Sequence, residues 1–218
     1  MREPPLDWPD YGSTVLRHPK QPLVQVGLER SGPVLAHLRP GEISNDLTKD
    51  GPVGERITVS GRLLDSDGRP IRDSLIEIWQ ANAAGRYRHR WDDWRAPLDP
   101  DFGGGGRTVT DADGRYEFVT IKPGPYPWGN HPNAWRPAHI HFSLLGRSFE
   151  QRLVTQMYFP GDPLFEYDPI FNSVRDPQAR ARMVSRFSIE RTQEGWAVAY
   201  EFDVALGGRH GTPIEDAH

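Results

Sequence analysis

The chain is dominated by short segments in which apolar and polar residues alternate, with glycine- or proline-containing turns between them. Successive side chains of a β-strand point to opposite faces, so this alternation predicts strands that bury one face. One short helix is expected from Asp176-Pro177, a typical helix start, to about Arg186. The pattern predicts an all-β fold, a mostly antiparallel β-sandwich with long functional loops and one or two short helices. The predicted strands cover residues 57–63, 74–79, 107–110, 116–121, 139–145, 153–159 and 196–206.

Turn residues inside these segments predict two strand–turn–strand units of the hairpin kind. The first turns at Asp67-Gly68 and the second at Asp113-Gly114. Residues 1–54 show little periodicity, so we expect an extended N-terminal arm that packs on the core or on a partner chain. Residues 55–218 are expected to form the β-sandwich domain that carries the chemistry, which makes a single domain overall.

Composition excludes several classes of partner. The formal charge is −4 and the pI is near 6.1, which gives no electrostatic footprint for nucleic acid or for an anionic membrane surface. The sequence has no cysteine, and its first residues lack the pattern of a secretory signal. No apolar run approaches the roughly 20 residues of a membrane span. We therefore expect a cytoplasmic protein.

A stretch between Lys122 and Phe142 carries the strongest chemical signal. Tyr126 lies between two prolines, which restrict the backbone and hold its phenol in one region. His139 and His141 are separated by one residue, so on a strand they share a face and form a chelating pair. These three side chains suggest a metal centre. The alternative is that the histidines are ordinary strand residues and that the tyrosine is a packed turn aromatic.

The donor types indicate which metal such a centre would hold. A phenol has an unperturbed pKa near 10, so it binds as phenolate only where a highly charged cation stabilises the anion. Zinc structural sites rarely use phenolate, whereas ferric iron suits it. A second anionic ligand is then expected. Tyr87 is the best placed candidate, because it lies in the long loop of residues 81–106, which ends in four glycines. Spacing alone does not choose between Tyr87 and the strand tyrosines Tyr116 and Tyr158.

Several longer motifs extend this signal over nearly the whole chain. They read PGPYPWGNHPNAWRPAHIHF, IEIWQANAAGRYRHR, APLDPDFGGGGRTVTDADGRYEFVTIKPG and QMYFPGDPL, with DYGSTVLRHP in the arm. Together they resemble the intradiol ring-cleaving dioxygenases, whose core is a β-sandwich. The catechol branch of that family carries a helical N-terminal domain for which this sequence has no room, so the resemblance favours the protocatechuate branch. By the resemblance, the ligands of a non-haem Fe(III) ion are Tyr87, Tyr126, His139 and His141.

The resemblance also implies an activity and partners. The expected reaction is O2-dependent cleavage of protocatechuate (3,4-dihydroxybenzoate) to 3-carboxy-cis,cis-muconate, a step of aromatic degradation by the β-ketoadipate pathway. Tyr126 is the ligand expected to dissociate and take a substrate proton, and Arg136 the cation expected to stabilise charge on the substrate. A homologous partner chain, termed α in this family, is expected to complete a hetero-oligomer. Family positions that line the substrate pocket match Tyr11, Trp128, Gln156, Tyr158 and Ile170.

Three competing interpretations remain from the sequence. A non-enzymatic β-sandwich binding module shares the turn signature at residues 110–124, but it has no use for a histidine pair. A zinc hydrolase would need further carboxylate and histidine ligands in a strand–helix alternation that the sequence lacks. A sister intradiol enzyme for hydroxyquinol or another catechol differs only in its substrate.

Overall fold

Two β-sheets form the body of the protein. The computed structural model describes residues 44–89, 92–127, 135–145 and 152–213. One sheet has five strands, with β1 at its centre, and the other has four strands in the order β3-β2-β7-β8. The strands are β1 (Arg56–Asp65), β2 (Leu75–Trp79), β3 (Gly105–Val109), β4 (Arg115–Ile121), β5 (Tyr126–Pro127), β6 (Trp135–Arg136), β7 (His139–Leu145), β8 (Arg152–Tyr158), β9 (Arg186–Phe187), β10 (Val198–Glu201) and β11 (Val204–Leu206).

The main core lies between the two sheets. Ile57 and Phe118 from the five-stranded sheet and Ile78 and Phe142 from the four-stranded sheet are fully buried in one cluster. Core residues alternate along β2, at Ile76 and Ile78, and along β7, at Ile140 and Phe142, as the sequence pattern predicts. The four-stranded sheet is antiparallel throughout, whereas β1 pairs antiparallel with β4 and parallel with β10 and β11. The predicted all-β sandwich is confirmed.

The hairpin pairing predicted around Asp67-Gly68 and Asp113-Gly114 is wrong. Both turns form, but β1 and β4 belong to the five-stranded sheet while β2 and β3 belong to the four-stranded sheet. Each unit therefore crosses from one sheet to the other. Alternation in the sequence shows which face of a strand is buried, but it does not show which strand supplies the hydrogen bonds.

The C-terminal elements also differ in extent from the sequence prediction. Helix α1 (Pro169–Ser173) was not anticipated, and α2 (Pro177–Ala181) ends well before Arg186. It ends there because the chain turns to pair with β8, where the Tyr158 backbone N–H donates to the carbonyl of Met183 at 2.8 Å. The strand predicted at residues 196–206 is split into β10 and β11. Between them the carbonyl of Phe202 bulges against Gly61, where an added Cβ would lie only 1.9 Å from that oxygen.

The last part of the N-terminal arm packs on the chain's own core. Ser44 pairs with Arg107 of β3, and the backbone of Leu47 donates to Val119 of β4 at 2.8 Å. The Leu47 side chain is buried in the main core. These residues therefore contact both sheets, while the division of the chain at residue 54 stays a prediction. Within the described residues, no helix has the length and apolar character needed to cross a membrane.

Candidate metal centre

Strand β7 presents both histidines on one face of the four-stranded sheet. Ile140 between them is buried in the core, so the imidazoles point the other way. Their ring centroids are 4.8 Å apart. In the antiparallel register with β8, His139 lies opposite Tyr158 and His141 lies opposite Gln156. One face thus carries two imidazoles, a phenol and an amide.

Tyr126 reaches this face from a short two-stranded ribbon. Strand β5 pairs with β6, and Tyr126 lies directly opposite Arg136. Pro125 and Pro127 flank the tyrosine and limit its backbone, since a proline ring fixes φ. The Tyr126 phenol oxygen lies 3.4 Å from His139 Nε2.

Tyr87 lies in the loop between β2 and β3, and side chains of this loop fix its backbone by hydrogen bonds. The Asn82 amide oxygen accepts from the backbone N–H groups of Ala84 and Arg86, in the manner of an Asx turn. The carboxylate of Asp92 accepts from the Tyr87 backbone N–H at 2.7 Å. The Tyr87 phenol oxygen then lies 3.2 Å from His141 Nε2.

Two glycines let the segments that carry the tyrosines approach each other. Gly85 has φ +77° and an added Cβ would lie 2.1 Å from the carbonyl oxygen of Pro125. At Gly124 an added Cβ would lie 2.3 Å from the carbonyl oxygen of Ala83. The backbones can touch only because both positions lack a side chain. The contact brings the two phenol rings into an edge-to-face arrangement with centroids 5.3 Å apart.

Each of the two tyrosine–histidine pairs has the donor spacing expected around a metal ion. Neighbouring donors about 2 Å from one shared ion lie about 3 Å apart, close to the observed oxygen–nitrogen separations of 3.2 Å and 3.4 Å. The His139 ring is oriented by a 2.7 Å contact from Nδ1 to the carbonyl of Pro137, which makes Nε2 the ring nitrogen that faces the Tyr126 phenol. The His141 ring stacks on Trp79 at 4.9 Å. No group of three or more His, Cys, Asp or Glu side chains suits a metal among the described residues, so this set appears only when phenols are counted.

The protonation of His139 agrees with a ligand role. Burial lowers its pKa well below the ordinary value, and the positive charge of Arg136 and the neighbouring His141 act in the same direction. The ring is therefore neutral at neutral pH, which is the form of imidazole that binds metals.

Arg136 is buried beside the four donors, with 3% of its surface exposed. Its Nη1 lies 3.3 Å from the Tyr126 phenol oxygen and 3.2 Å from His139 Nε2. Its Nη2 contacts the Gln156 amide oxygen at 2.6 Å and the Asp168 carboxylate at 3.0 Å. Burial alone would lower its pKa, but attraction to Tyr126, Asp168 and Tyr158 outweighs burial and raises the pKa well above the usual value. A fixed positive charge therefore lies at the edge of the centre.

Gln156 and Tyr158 complete the buried wall next to Arg136. The Tyr158 hydroxyl donates to the Gln156 amide oxygen at 2.7 Å. Gln156 Nε2 is buried and has no hydrogen-bond partner within the described part of the chain. A buried N–H group without a partner is unfavourable, so this amide is a donor available to a bound molecule.

The remaining predicted residues are placed as follows. Tyr11 and Trp128 lie outside the described residues. Ile170 is half-buried in α1, and its backbone N–H donates to Asp168. Tyr116, one of the alternatives by spacing, lies in the main core and donates to the carbonyl of Phe202.

Sequence reasoning missed Asp168, a fully buried carboxylate that pairs with Arg136. A signal was present, because Asp168-Pro169 repeats the pattern of Asp176-Pro177 that predicted α2. It also missed the stacking of Trp79 on His141, for which the sequence offers no local signal.

Comparison with known proteins gives a consistent set of relatives. A family model described as dioxygenase matches residues 31–208, and a model described as protocatechuate 3,4-dioxygenase beta subunit N terminal matches residues 4–27. The chain is 55% identical to the protocatechuate 3,4-dioxygenase beta chain of Burkholderia cepacia over 97% of its own length and 96% of that chain. It is 32% identical to the alpha chain of that enzyme from Pseudomonas putida, over 89% and 92% of the two chains. Among solved structures, 3-chlorocatechol 1,2-dioxygenase from Rhodococcus opacus 1CP aligns with a TM-score of 0.59 and 27% identity, covering 78% of this chain and 69% of that one.

Proposed function

The chain belongs to the intradiol ring-cleavage dioxygenase family, and from this premise we propose that it is the iron-bearing β chain of a protocatechuate 3,4-dioxygenase. The reaction is cleavage of protocatechuate between its two hydroxyl-bearing carbons, with both atoms of O2 incorporated, to 3-carboxy-cis,cis-muconate. This is a step of the β-ketoadipate pathway of aromatic degradation. The observation that carries the proposal is the convergence of the Tyr87 and Tyr126 phenol oxygens on the imidazoles of His139 and His141.

Those four side chains would hold a non-haem Fe(III) ion as the resident metal. Two phenols lose their protons at neutral pH only beside a strongly charged cation, and ferric iron meets that condition. When bound, the ion would supply a Lewis acid that lowers the pKa of the catechol hydroxyls. The neutral His139 ring suits such a centre.

Tyr126 is the catalytic proton acceptor. Its phenol oxygen lies on the short β5–β6 ribbon and within 3.3 Å of Arg136 Nη1, so a cation stabilises the phenolate until the proton arrives. A catechol hydroxyl transfers its proton to that oxygen. Tyr87 is fixed to Asp92 through its backbone and remains a ligand.

Arg136 stabilises negative charge that develops on the substrate ring. Its charge is permanent and fixed in a buried site, where an oriented cation acts more strongly than in water. Gln156 contributes a buried N–H donor without a partner in the described residues, and Tyr158 holds the amide in place. The family resemblance supports Gln156, Tyr158 and Ile170 as residues of the substrate pocket, together with Tyr11 and Trp128 from outside the described residues.

The chain acts with a homologous α chain in a hetero-oligomer, in the cytoplasm. The similarity to both a β chain and an α chain of the same enzyme supports this arrangement. Its substrates are a small aromatic acid and O2.

The test is to co-express the chain with its α partner and to measure O2 uptake and ultraviolet absorbance with protocatechuate, catechol and hydroxyquinol. We expect one O2 per protocatechuate and formation of the muconate product. Preference for hydroxyquinol or catechol would assign the chain to a sister enzyme. A preparation without iron that turns over none of the three would support a non-enzymatic binding module instead.

A further inference from the structure

Asp168 is a buried carboxylate to which the proposed reaction assigns no role. It lies between β8 and α1, with 0% of its surface exposed. A buried charge is stable only when it is paired and hydrogen-bonded. Arg136 supplies the opposite charge at 3.0 Å, so the two residues form one buried ion pair.

The geometry of the pair is specific. Arg136 approaches with one edge, because its Nε lies 3.4 Å from Asp168 Oδ1 and its Nη2 lies 3.0 Å from Oδ2. A planar guanidinium held by two nitrogens cannot rotate about its long axis. The third nitrogen, Nη1, then faces the Tyr126 phenol and the His139 ring at 3.3 Å and 3.2 Å.

Both carboxylate oxygens of Asp168 have a further contact. Oδ1 accepts from the Ile170 backbone N–H at 2.9 Å, and Oδ2 lies 3.2 Å from the Tyr158 hydroxyl. The same side chain therefore caps α1, which carries the predicted pocket residue Ile170, and contacts the wall of the pocket. Its position is fixed from two directions.

We propose that Asp168 is the positioning residue for Arg136, holding the guanidinium by one edge so that Nη1 is directed at the proton-accepting phenol of Tyr126. This inference rests on the proposed function, since it assigns a task to Arg136 within that reaction. Asp168 itself touches neither substrate nor metal in this scheme. It acts through the orientation of its partner.

Asp176 provides a matched control. It also precedes a proline and caps a five-residue helix, with Oδ1 accepting from the Gln178 backbone N–H at 2.9 Å. Asp176 is exposed. Asparagine caps helices about as well as aspartate, so the Asp→Asn change at either site keeps the cap. Only at position 168 does the Asp→Asn change remove a carboxylate oxygen that accepts a hydrogen bond from Arg136.

The experiment compares Asp168→Asn, Asp176→Asn and Arg136→Ala, together with the double variant of Asp168 and Arg136, all co-purified with the α chain. We expect Asp168→Asn to lower kcat about 100-fold, the loss typical of a misplacement of about 1 Å, with iron content unchanged. Asp176→Asn should match the wild type. In the Arg136→Ala background, Asp168→Asn should cause no further loss of kcat, because the group that it positions is gone.

Thermal melting of the metal-free assemblies gives a second readout. Asp168→Asn should lower the Tm of the otherwise wild-type protein but raise it in the Arg136→Ala background, where it removes an unpaired buried charge. A kcat near the wild-type value for Asp168→Asn, or a further fall of similar size in the Arg136→Ala background, would overturn the proposal. If Asp168→Asn alone does not fold, the comparison of Arg136→Ala with the double variant still decides. Failure of the wild type to cleave protocatechuate refutes the proposed function instead.

Discussion

Gly85 tests whether contact between the Tyr87 and Tyr126 segments builds the metal centre. Replacement by alanine places a Cβ 2.1 Å from the Pro125 carbonyl oxygen, one residue before Tyr126. Ordinary contact requires more than 3 Å, so the two backbones have to separate by about 1 Å. The residue also has φ +77°, which costs a residue with a side chain about 1–2 kcal/mol.

Gly68 separates these two effects. It has nearly the same backbone, with φ +78°, but an added Cβ meets nothing within 4 Å. Gly68→Ala therefore carries only the conformational cost, and a Tm fall of about 2–4 °C per kcal/mol is expected for a domain of this size. Gly85→Ala carries the same cost plus about 1–3 kcal/mol for the forced contact.

The assay compares the two variants in melting temperature, iron content and turnover after co-purification with the α chain. Gly68→Ala should retain full iron and turnover within about a factor of two, as expected for a surface change. Gly85→Ala should melt lower still, bind iron more weakly and lose about 100-fold in kcat, since Tyr87 is displaced by about 1 Å. Equal melting temperatures and equal iron content in both variants would refute the reasoning.

Four further substitutions test individual side chains. Tyr87→Phe and His141→Ala should lose iron or nearly all activity, because each removes one of four donors; full iron by metal analysis would contradict this. Arg136→Ala should keep its iron and colour but turn over protocatechuate at least about 100-fold more slowly, and near-normal turnover would remove Arg136 from the mechanism. Burial, with a contribution from Asp203, raises the pKa of the Tyr116 phenol. Above about pH 10 the unfolded chain therefore releases this proton while the folded chain keeps it. The free energy of unfolding then falls as pH rises. At pH 8, Tyr116→Phe should be less stable than the wild type by about 1 kcal/mol, because it loses the hydrogen bond to Phe202. This difference in stability should shrink in thermal melts toward pH 11. A constant difference would contradict the raised pKa of Tyr116.

The sequence predicted the strands and the histidine pair because both depend on local periodicity. A period of two determines that His139 and His141 share a face and that Ile140 is buried, and the structure has this arrangement. Local periodicity does not determine which strands pair. Each alternating segment can add to either sheet, so the crossing of β1–β2 and β3–β4 between sheets did not follow from the pattern.

The proximity of Tyr87 to His141 was beyond local reasoning, because 54 residues separate them in the sequence. It depends on the Asn82 turn, on the Asp92 carboxylate and on two glycines whose role is visible only when the neighbouring backbone is known. The resemblance to a family singled out Tyr87 where spacing left Tyr116 and Tyr158 open. Asp168 escaped both approaches, although Asp168-Pro169 has the same Asp-Pro pattern that predicted a helix start at Asp176.

The visible spectrum of the protein purified with its α chain, together with metal analysis, tests the central claim most directly. Two phenolates and two imidazoles around ferric iron should give a red-brown protein with one iron per β chain, and protocatechuate added without O2 should change the colour as one tyrosine gives up its ligand position. A colourless protein whose sites are filled with zinc would contradict the account.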